Sequence, residues 1–383
     1  MKIGILTYLY AINHGSILQA RAVEKIAKQY FPGAEVKFIN YAPKRGLLKE
    51  LRHNIINKRF VGGLLVCLKF YNVIRKFNFW NQILVTDSNS TYTNLLNRLD
   101  LDLVFIGSDT VWESRPMGVG YAPPPLNPYF ISKVRTSKTK FISIAASSDR
   151  SLDILWPETE IPKIASHLKE FSLISVRDKF TQELVKTKFN ADSYLVPDPT
   201  FHVNHDKEIA SHQLNNILKY IGKKKFVVLD ISDRALSKAT RDFFKNLSKD
   251  YLIIAPMTNR YADLNLRGKI KPMDWVWLHY RAEFVITNRF HGTIFSIKGN
   301  TPFLSVDQSR EYGDGAGSKK YDLLQRAQLL NHYISFNETN EFRYYLNLLP
   351  NLDMGIFSKS CEKAKQKFYS EWEEFLNEKF KGL

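Results

Sequence analysis

Cysteine is almost missing from this 383-residue chain: Cys67 and Cys361 stand far apart, without the paired spacing of a metal site. Two isolated thiols cannot build a disulfide framework, so a reducing compartment, the cytoplasm, is the expected setting. Long apolar runs are missing too. No stretch reaches the ~18 apolar residues of a membrane span, and the opening MKIGILTYLY runs into a polar helix start without the cleavage site of a signal peptide. Acidic residues are few beside basic ones, 38 Asp and Glu against 55 Lys and Arg, a formal charge of +17. Anionic partners follow from that imbalance: phosphorylated metabolites, lipid headgroups or nucleic acid. The basic residues are not interleaved with aromatics in a nucleic-acid motif, so nucleic acid drops out. No GxGxxG fingerprint supports a nicotinamide or flavin, and no cofactor is expected. His202, His205 and His212 lie in a polar stretch without cysteine partners, and no metal is expected either.

What is present is enough for real cores: 44% hydrophobic residues and 13% aromatics, over a length that predicts two domains. The pattern alternates strand and helix. Lys2 to Tyr8, Glu35 to Tyr41, Leu101 to Gly107, Lys140 to Ala146 and Leu173 to Val176 read as strands, with helices over Ser16 to Phe31 and Glu160 to Phe171. After the polar stretch His202 to Gln213 the alternation restarts. A helix is followed by KFVVLDI (Lys225 to Ile231), a helix from about Ala235 to Leu247, YLIIAP (Tyr251 to Pro256), DWVWLHYRA (Asp274 to Ala282), EFVIT (Glu283 to Thr287) and PFLSV (Pro302 to Val306). The expected fold is α/β, two Rossmann-like domains facing across a cleft. Residues 1–205 form the first domain, 206–350 the second, and 351–383 a C-terminal helix that packs back on the first.

Four strand ends carry chemistry. In VITNRFHGTIFSIKG, Asn288 to His291 form the turn where EFVIT ends and a helix begins. Backbone N–H groups and the helix dipole favour an anion there, Arg289 adds a planar fork for phosphate or carboxylate, and His291 can exchange a proton near neutral pH. The plainer reading is a capping arginine and a packed turn histidine. In LDLVFIGSDTVW, Gly107, Ser108 and Asp109 follow a buried-type strand, with Trp112 just beyond; Asp109 is a base, a ligand for a sugar hydroxyl, or simply a helix cap. In LISVRDKF, Arg177 and Asp178 are site residues or a surface ion pair plus cap. Asn13, His14, Gly15 and Ser16 form a turn before the first helix. The loop Tyr312 to Lys320 (YGDGAGSKK) is a phosphate loop or a glycine-hinged lid.

These fragments, NHGSILQA, FIGSDTVW, FISIAAS, SVRDKFTQELV, VPDPTF, VITNRFHGTIFSIKGNTPF and KKYDLL, in this order over nearly the whole chain, resemble the polysaccharide pyruvyl transferase family. The resemblance implies the GT-B architecture. It also implies transfer of pyruvate from phosphoenolpyruvate onto two hydroxyls of a sugar as a cyclic ketal, with release of phosphate, in the making of bacterial surface polysaccharide such as capsule. Arg289, Phe290 and His291 are then the phosphoenolpyruvate site. Arg177 reaches the same substrate across the cleft, and Lys319 is the lysine three places before the DLL aspartate, with Lys320 its competitor. The catalytic set is His291 as general acid, Arg177 and Asp109; the acceptor contacts are Asn13, His14, Ser108, Asp109 and Trp112. The pattern departs in two places: Thr110 and Glu113 stand where the family commonly has Gln and Asn, and SSDR brings Asp149 and Arg150 where small residues are usual. The other readings are a GT-B glycosyltransferase using a nucleotide sugar and a non-catalytic sugar-binding relative.

One segment stands apart. Lys44 to Lys76 holds nine Lys or Arg against the single acidic Glu50 and encloses FVGGLLVCL, Phe60 to Leu68. It is either a solvated helix pair with its apolar face on the first domain or a surface that lies on the inner face of an anionic membrane, which suits a lipid-linked or nucleotide-linked acceptor.

Overall fold

The computed structural model describes residues 1–55, 60–113, 127–130, 138–148, 158–205, 211–231, 240–307, 318–335 and 348–382. Lys58, Arg59, Asp149, Arg150, the start of the helix expected from Ala235 and most of the loop Tyr312 to Lys320 lie outside the described residues. The chain divides into two units, Met1–Val203 with Ser370–Leu383, and Asn204–Tyr369.

The first unit contains β1 (Lys2–Leu6), α1 (His14–Tyr30), β2 (Glu35–Phe38), β3 (Tyr41–Ala42), α2 (Lys44–Ile55), α3 (Phe60–Ile74), β4 (Leu84–Val85), α4 (Asn89–Leu99), β5 (Leu103–Asp109), β6 (Lys140–Ala146), α5 (Ile161–Leu168), β7 (Phe171–Val176), α6 (Lys179–Phe189) and β8 (Tyr194–Leu195). Its main sheet runs β2-β1-β5-β6-β7-β8, with every neighbour parallel. Parallel strands are covered on both faces, so they read as near-continuous apolar runs. In β1 and β6 every residue but the first is buried. Leu6, Val104, Ile106, Phe141, Ile174 and Val176 share one core with Trp112, Phe130 and Phe189.

The second unit contains α7 (His212–Ile221), β9 (Phe226–Asp230), α8 (Thr240–Asp250), β10 (Leu252–Ala255), β11 (Leu264–Asn265), α9 (Pro272–Arg281), β12 (Val285–Thr287), α10 (Phe290–Lys298), β13 (Phe303–Val306), α11 (Lys319–Ala327), β14 (Tyr333–Ile334) and most of α12 (Met354–Lys379). Its sheet order is β11-β10-β9-β12-β13-β14, again parallel throughout, over a core of Val227, Leu229, Ile253, Ile286, Leu304 and Val306. Strand order reverses between β1 and β5 in the first unit and between β9 and β12 in the second. At such switch points the carboxyl ends of the strands leave a crevice for ligands.

Two elements differ from the periodic pattern. The run Glu35 to Tyr41 is not one strand: β2 ends at Phe38, Asn40 exchanges hydrogen bonds with Asn81, and β3 leaves to pair with β4. The helix expected over Glu160 to Phe171 stops at Leu168, because Phe171 turns into the core as the first residue of β7.

Candidate active site

At the switch point of the second unit the chain leaves β12 through Thr287, fully buried, whose Oγ1 accepts the Arg289 N–H at 2.9 Å. The Asn288 N–H donates to the Asp230 carbonyl at the end of β9, 3.2 Å away. These bonds hold Arg289 as the extended residue before α10. Its carbonyl accepts the Thr293 N–H at 3.1 Å, and Thr293 Oγ1 lies 2.8 Å from Ser305 Oγ on β13. The Arg289 side chain does not cap α10 and no acidic residue sits in its first turn, so the positive end of the helix dipole meets no carboxylate of its own helix. Gly292 is required here: a Cβ would overlap Thr287 Oγ1, so only glycine lets the helix start this close to the strand.

Three candidate residues meet at this turn. Arg289 is exposed, and its guanidinium makes no ion pair or hydrogen bond with any described residue. Phe290 and His291 are buried in the first turn, their rings 5.5 Å apart. The two lysines at the start of α11 part company. Lys320 is buried, and its ammonium lies 2.6 Å from Asp307 Oδ1, 2.6 Å from the Val306 carbonyl and 3.2 Å from the Asn288 carbonyl. Asp307 also accepts from Ser318 Oγ and from the Tyr333 hydroxyl, the latter at 2.7 Å. Lys320 is thus a tie between α11 and the ends of β12 and β13. Lys319 is half-buried, its ammonium 5.8 Å from the Phe290 ring centre.

In the first unit, Asn13 caps α1 by accepting the Gly15 N–H at 2.9 Å, and Ser16 Oγ donates to Asp109 Oδ2 at 2.5 Å. Asp109 Oδ1 accepts the Thr110 N–H at 2.8 Å, and Thr7 Oγ1 donates to the Ser108 carbonyl at 3.2 Å. The turn after β1 and the end of β5 are thereby joined at the switch point. Gly107 permits this, with φ of 113° and the Ile144 carbonyl where a Cβ would stand. Asn13, Ser16, Ser108 and Asp109 come together, whereas His14 packs its ring 5.0 Å from Phe70 of α3.

Trp112 is a correction. Expected at the acceptor, it is 1% exposed, stacks on Phe130, and donates its indole N–H to the Tyr129 carbonyl at 3.0 Å. It anchors the core under the site. Asp178 is the cap of α6, accepting the Thr181 N–H at 2.8 Å. Arg177 is buried and not a surface residue: its guanidinium pairs with Asp198 of the same unit at 3.1 Å, and Asp198 also accepts from Gln19 Nε2 at 2.5 Å. The histidines of the polar stretch are dispersed: His202 lies 3.3 Å from Gln29 Oε1, and His205 lies 3.2 Å from the Lys298 ammonium.

A family model described as polysaccharide pyruvyl transferase matches residues 13–310. The chain belongs to the polysaccharide pyruvyl transferase family. None of the curated proteins compared matches it. Solved structures share its fold at low identity. S. aureus MnaA in complex with UDP is 13% identical with a TM-score of 0.51, over 98% of this chain and 96% of that one. A UDP-N-acetylglucosamine 2-epimerase is 11% identical with a TM-score of 0.54, over 98% and 95%. The Methanocaldococcus jannaschii UDP-GlcNAc 2-epimerase with UDP-GlcNAc and UDP is 11% identical with a TM-score of 0.53, over 95% and 98%. At these identities the likeness shows the fold alone, two Rossmann-like units of the GT-B-like class.

This pyruvyl transferase family member also holds a cluster that periodicity did not reveal. Tyr8 lies 5.0 Å from Tyr129 and 5.4 Å from Tyr10, and Tyr41 lies 5.8 Å from Tyr129 and 5.2 Å from Tyr92, ring centre to ring centre. The hydroxyls of Tyr8, Tyr41, Tyr92 and Tyr129 are buried without a hydrogen-bond partner among the described residues. Burial pushes their phenols up, and the Glu113 and Asp109 carboxylates push Tyr8 further. Only the pair Tyr8 and Tyr10 is close in sequence, so no local pattern announced the group.

Proposed function

We propose that this protein transfers pyruvate from phosphoenolpyruvate onto two hydroxyls of a sugar, forming a cyclic ketal and releasing phosphate. The observation that carries the reading is the turn Asn288 to His291: an exposed guanidinium and an imidazole at a helix start without an acidic residue, on a sheet switch point. Phosphoenolpyruvate carries a phosphate and a carboxylate. Arg289, the N–H groups of α10 and Lys319 supply matching donors and charge. His291 protonates the methylene carbon, and the central carbon becomes oxocarbenium-like. A sugar hydroxyl adds, phosphate departs with cationic assistance, and the second hydroxyl closes the ketal. Of the two hydroxyl protons, one restores His291 and the other leaves with phosphate. Asp109, held by Ser16 at the switch point of the first unit, is the proposed acceptor contact, and Arg177 the proposed further cation for phosphate.

Calorimetric titration of phosphoenolpyruvate into wild type and Arg289→Ala tests the donor. Binding to wild type that falls about 100-fold or more in the variant is expected, a bidentate charged contact being lost. His291→Ala keeps binding while phosphate release with acceptor falls about 10²- to 10⁴-fold. UDP-GlcNAc is the control, since two of the structures of like fold hold UDP or UDP-GlcNAc. Binding of the nucleotide sugar without phosphoenolpyruvate overturns the proposal in favour of glycosyl transfer.

A further inference from the structure

α2 and α3 pack against each other in the first unit, and no residue of either belongs to its main sheet. α3, with the sequence FVGGLLVCLKFYNVI, is apolar on two opposite faces. Gly63, Val66 and Phe70 are buried. Leu64, Leu68 and Tyr71, at the i, i+4, i+7 spacing of one helical stripe, are 41%, 49% and 62% exposed, and Leu65 beside them is 53% exposed. α2 presents Leu48, 57% exposed, between Lys44, Arg45 and Arg52, all exposed. Lys69, Arg75 and Lys76 are exposed on and just after α3. The single acidic residue of the segment, Glu50, is held by the Ile12 N–H at 3.0 Å. An apolar stripe of this size on a water-facing helix needs a cover.

We propose that the α2–α3 pair docks on an anionic lipid bilayer surface, with the leucines and Tyr71 entering the headgroup–acyl boundary and the flanking lysines and arginines on lipid phosphates. Fifteen residues of helix reach only about 22 Å, short of the ~30 Å hydrocarbon thickness, and no described helix is long and apolar enough to cross a membrane. The helix therefore lies on the surface. A second copy of the chain is a poor cover, because it would face these cations with the same cations. An anionic bilayer satisfies both the apolar stripe and the charge. The inference is independent of the donor chemistry.

The test is co-sedimentation of the full chain with vesicles of phosphatidylcholine alone and of phosphatidylcholine doped with phosphatidylglycerol, at low and high salt. Binding to the anionic vesicles that weakens with salt is expected. Leu64→Ser/Leu65→Ser/Leu68→Ser should lower the partition about tenfold or more while leaving charge unchanged, and Arg75→Glu/Lys76→Glu should lower it by removing charge from an intact stripe. Circular dichroism and thermal melting report whether each variant is folded. No binding to anionic vesicles, or binding that the serine variant leaves unchanged, overturns the proposal. A dimer in sedimentation velocity that the serine variant dissolves assigns the face to a second copy and overturns it equally.

Discussion

Lys319 and Lys320 are adjacent, and the burial of one decides what both can do. Lys320 neutralises buried Asp307 and satisfies two strand-end carbonyls. Lys320→Ala leaves that carboxylate without its cation, and a loss of about 3–5 kcal/mol is expected in urea unfolding. Lys319→Ala should leave the unfolding curve within about 0.5 kcal/mol, as surface changes do, and act on phosphoenolpyruvate affinity instead. Equal destabilisation by both would refute the division. The sequence could not make this distinction, because spacing from the DLL motif favours one lysine without saying which ammonium points inward. Trp112 failed to announce itself for the same reason. A tryptophan just past a strand end reads as a site residue until its burial against Phe130 and Phe171 is known. Arg177 read as surface or site, whereas its partner Asp198 is 21 residues away and was visible only in three dimensions.

Among elements, the β12-turn-α10 unit was the most legible. VIT is apolar and β-branched, FHGTIFSIK follows with helical spacing, and the turn between them is short. Gly292 is the close-approach residue that makes the turn work. Gly292→Ala should cost about 1–3 kcal/mol, because β-branched Thr287 cannot swing away without strain, and it should weaken phosphoenolpyruvate binding by pushing the hydroxyl that holds the Arg289 N–H. Adding Thr287→Ala removes the overlap and should recover thermal stability without recovering affinity; recovery of both would mean that the turn does not depend on Thr287. Less legible were elements whose ends are set by partners distant in sequence. β2 and β3 read as one strand because alternation continues through Asn40, and only Asn81 breaks it.

At the scale of the molecule, the repeated strand-helix alternation carries over into two parallel six-stranded sheets, and the ordered motifs from NHGSILQA to VITNRFHGTIFSIKGNTPF lie within a family match over residues 13–310, with KKYDLL just beyond it. The tyrosine cluster was out of reach, since β3, α4 and the turn at Tyr129 supply it from separate parts of the chain. Stability against acid is a property of the whole fold. Burial depresses the His332 imidazole from its ordinary 6.5 to about 4, although Nδ1 bonds the Phe303 carbonyl. The unfolded chain therefore holds more protons between those values. The stability His332 contributes is complete above pH 6.5 and is lost as the pH falls through about 4, worth at most about 3 kcal/mol. Fully buried His279 is depressed too and acts in the same sense. His332→Phe, which keeps a ring against Phe303 and Phe357, should flatten the fall of melting temperature over this window. An unchanged slope would show that other groups dominate.

The two sheets place the switch point at different distances from their edges. β9 is followed outward by β10 and β11, whereas β1 is followed by β2, and among the described residues β2 has beyond it only a bridge from Phe38 to Phe79. The chain that would make another strand instead forms β3, β4 and the α2–α3 pair. An excursion hung on a sheet edge can be lengthened, shortened or exchanged without shifting the register of any strand that carries the chemistry. The proposed docking surface and the proposed chemistry can thus be altered separately in evolution, or by grafting.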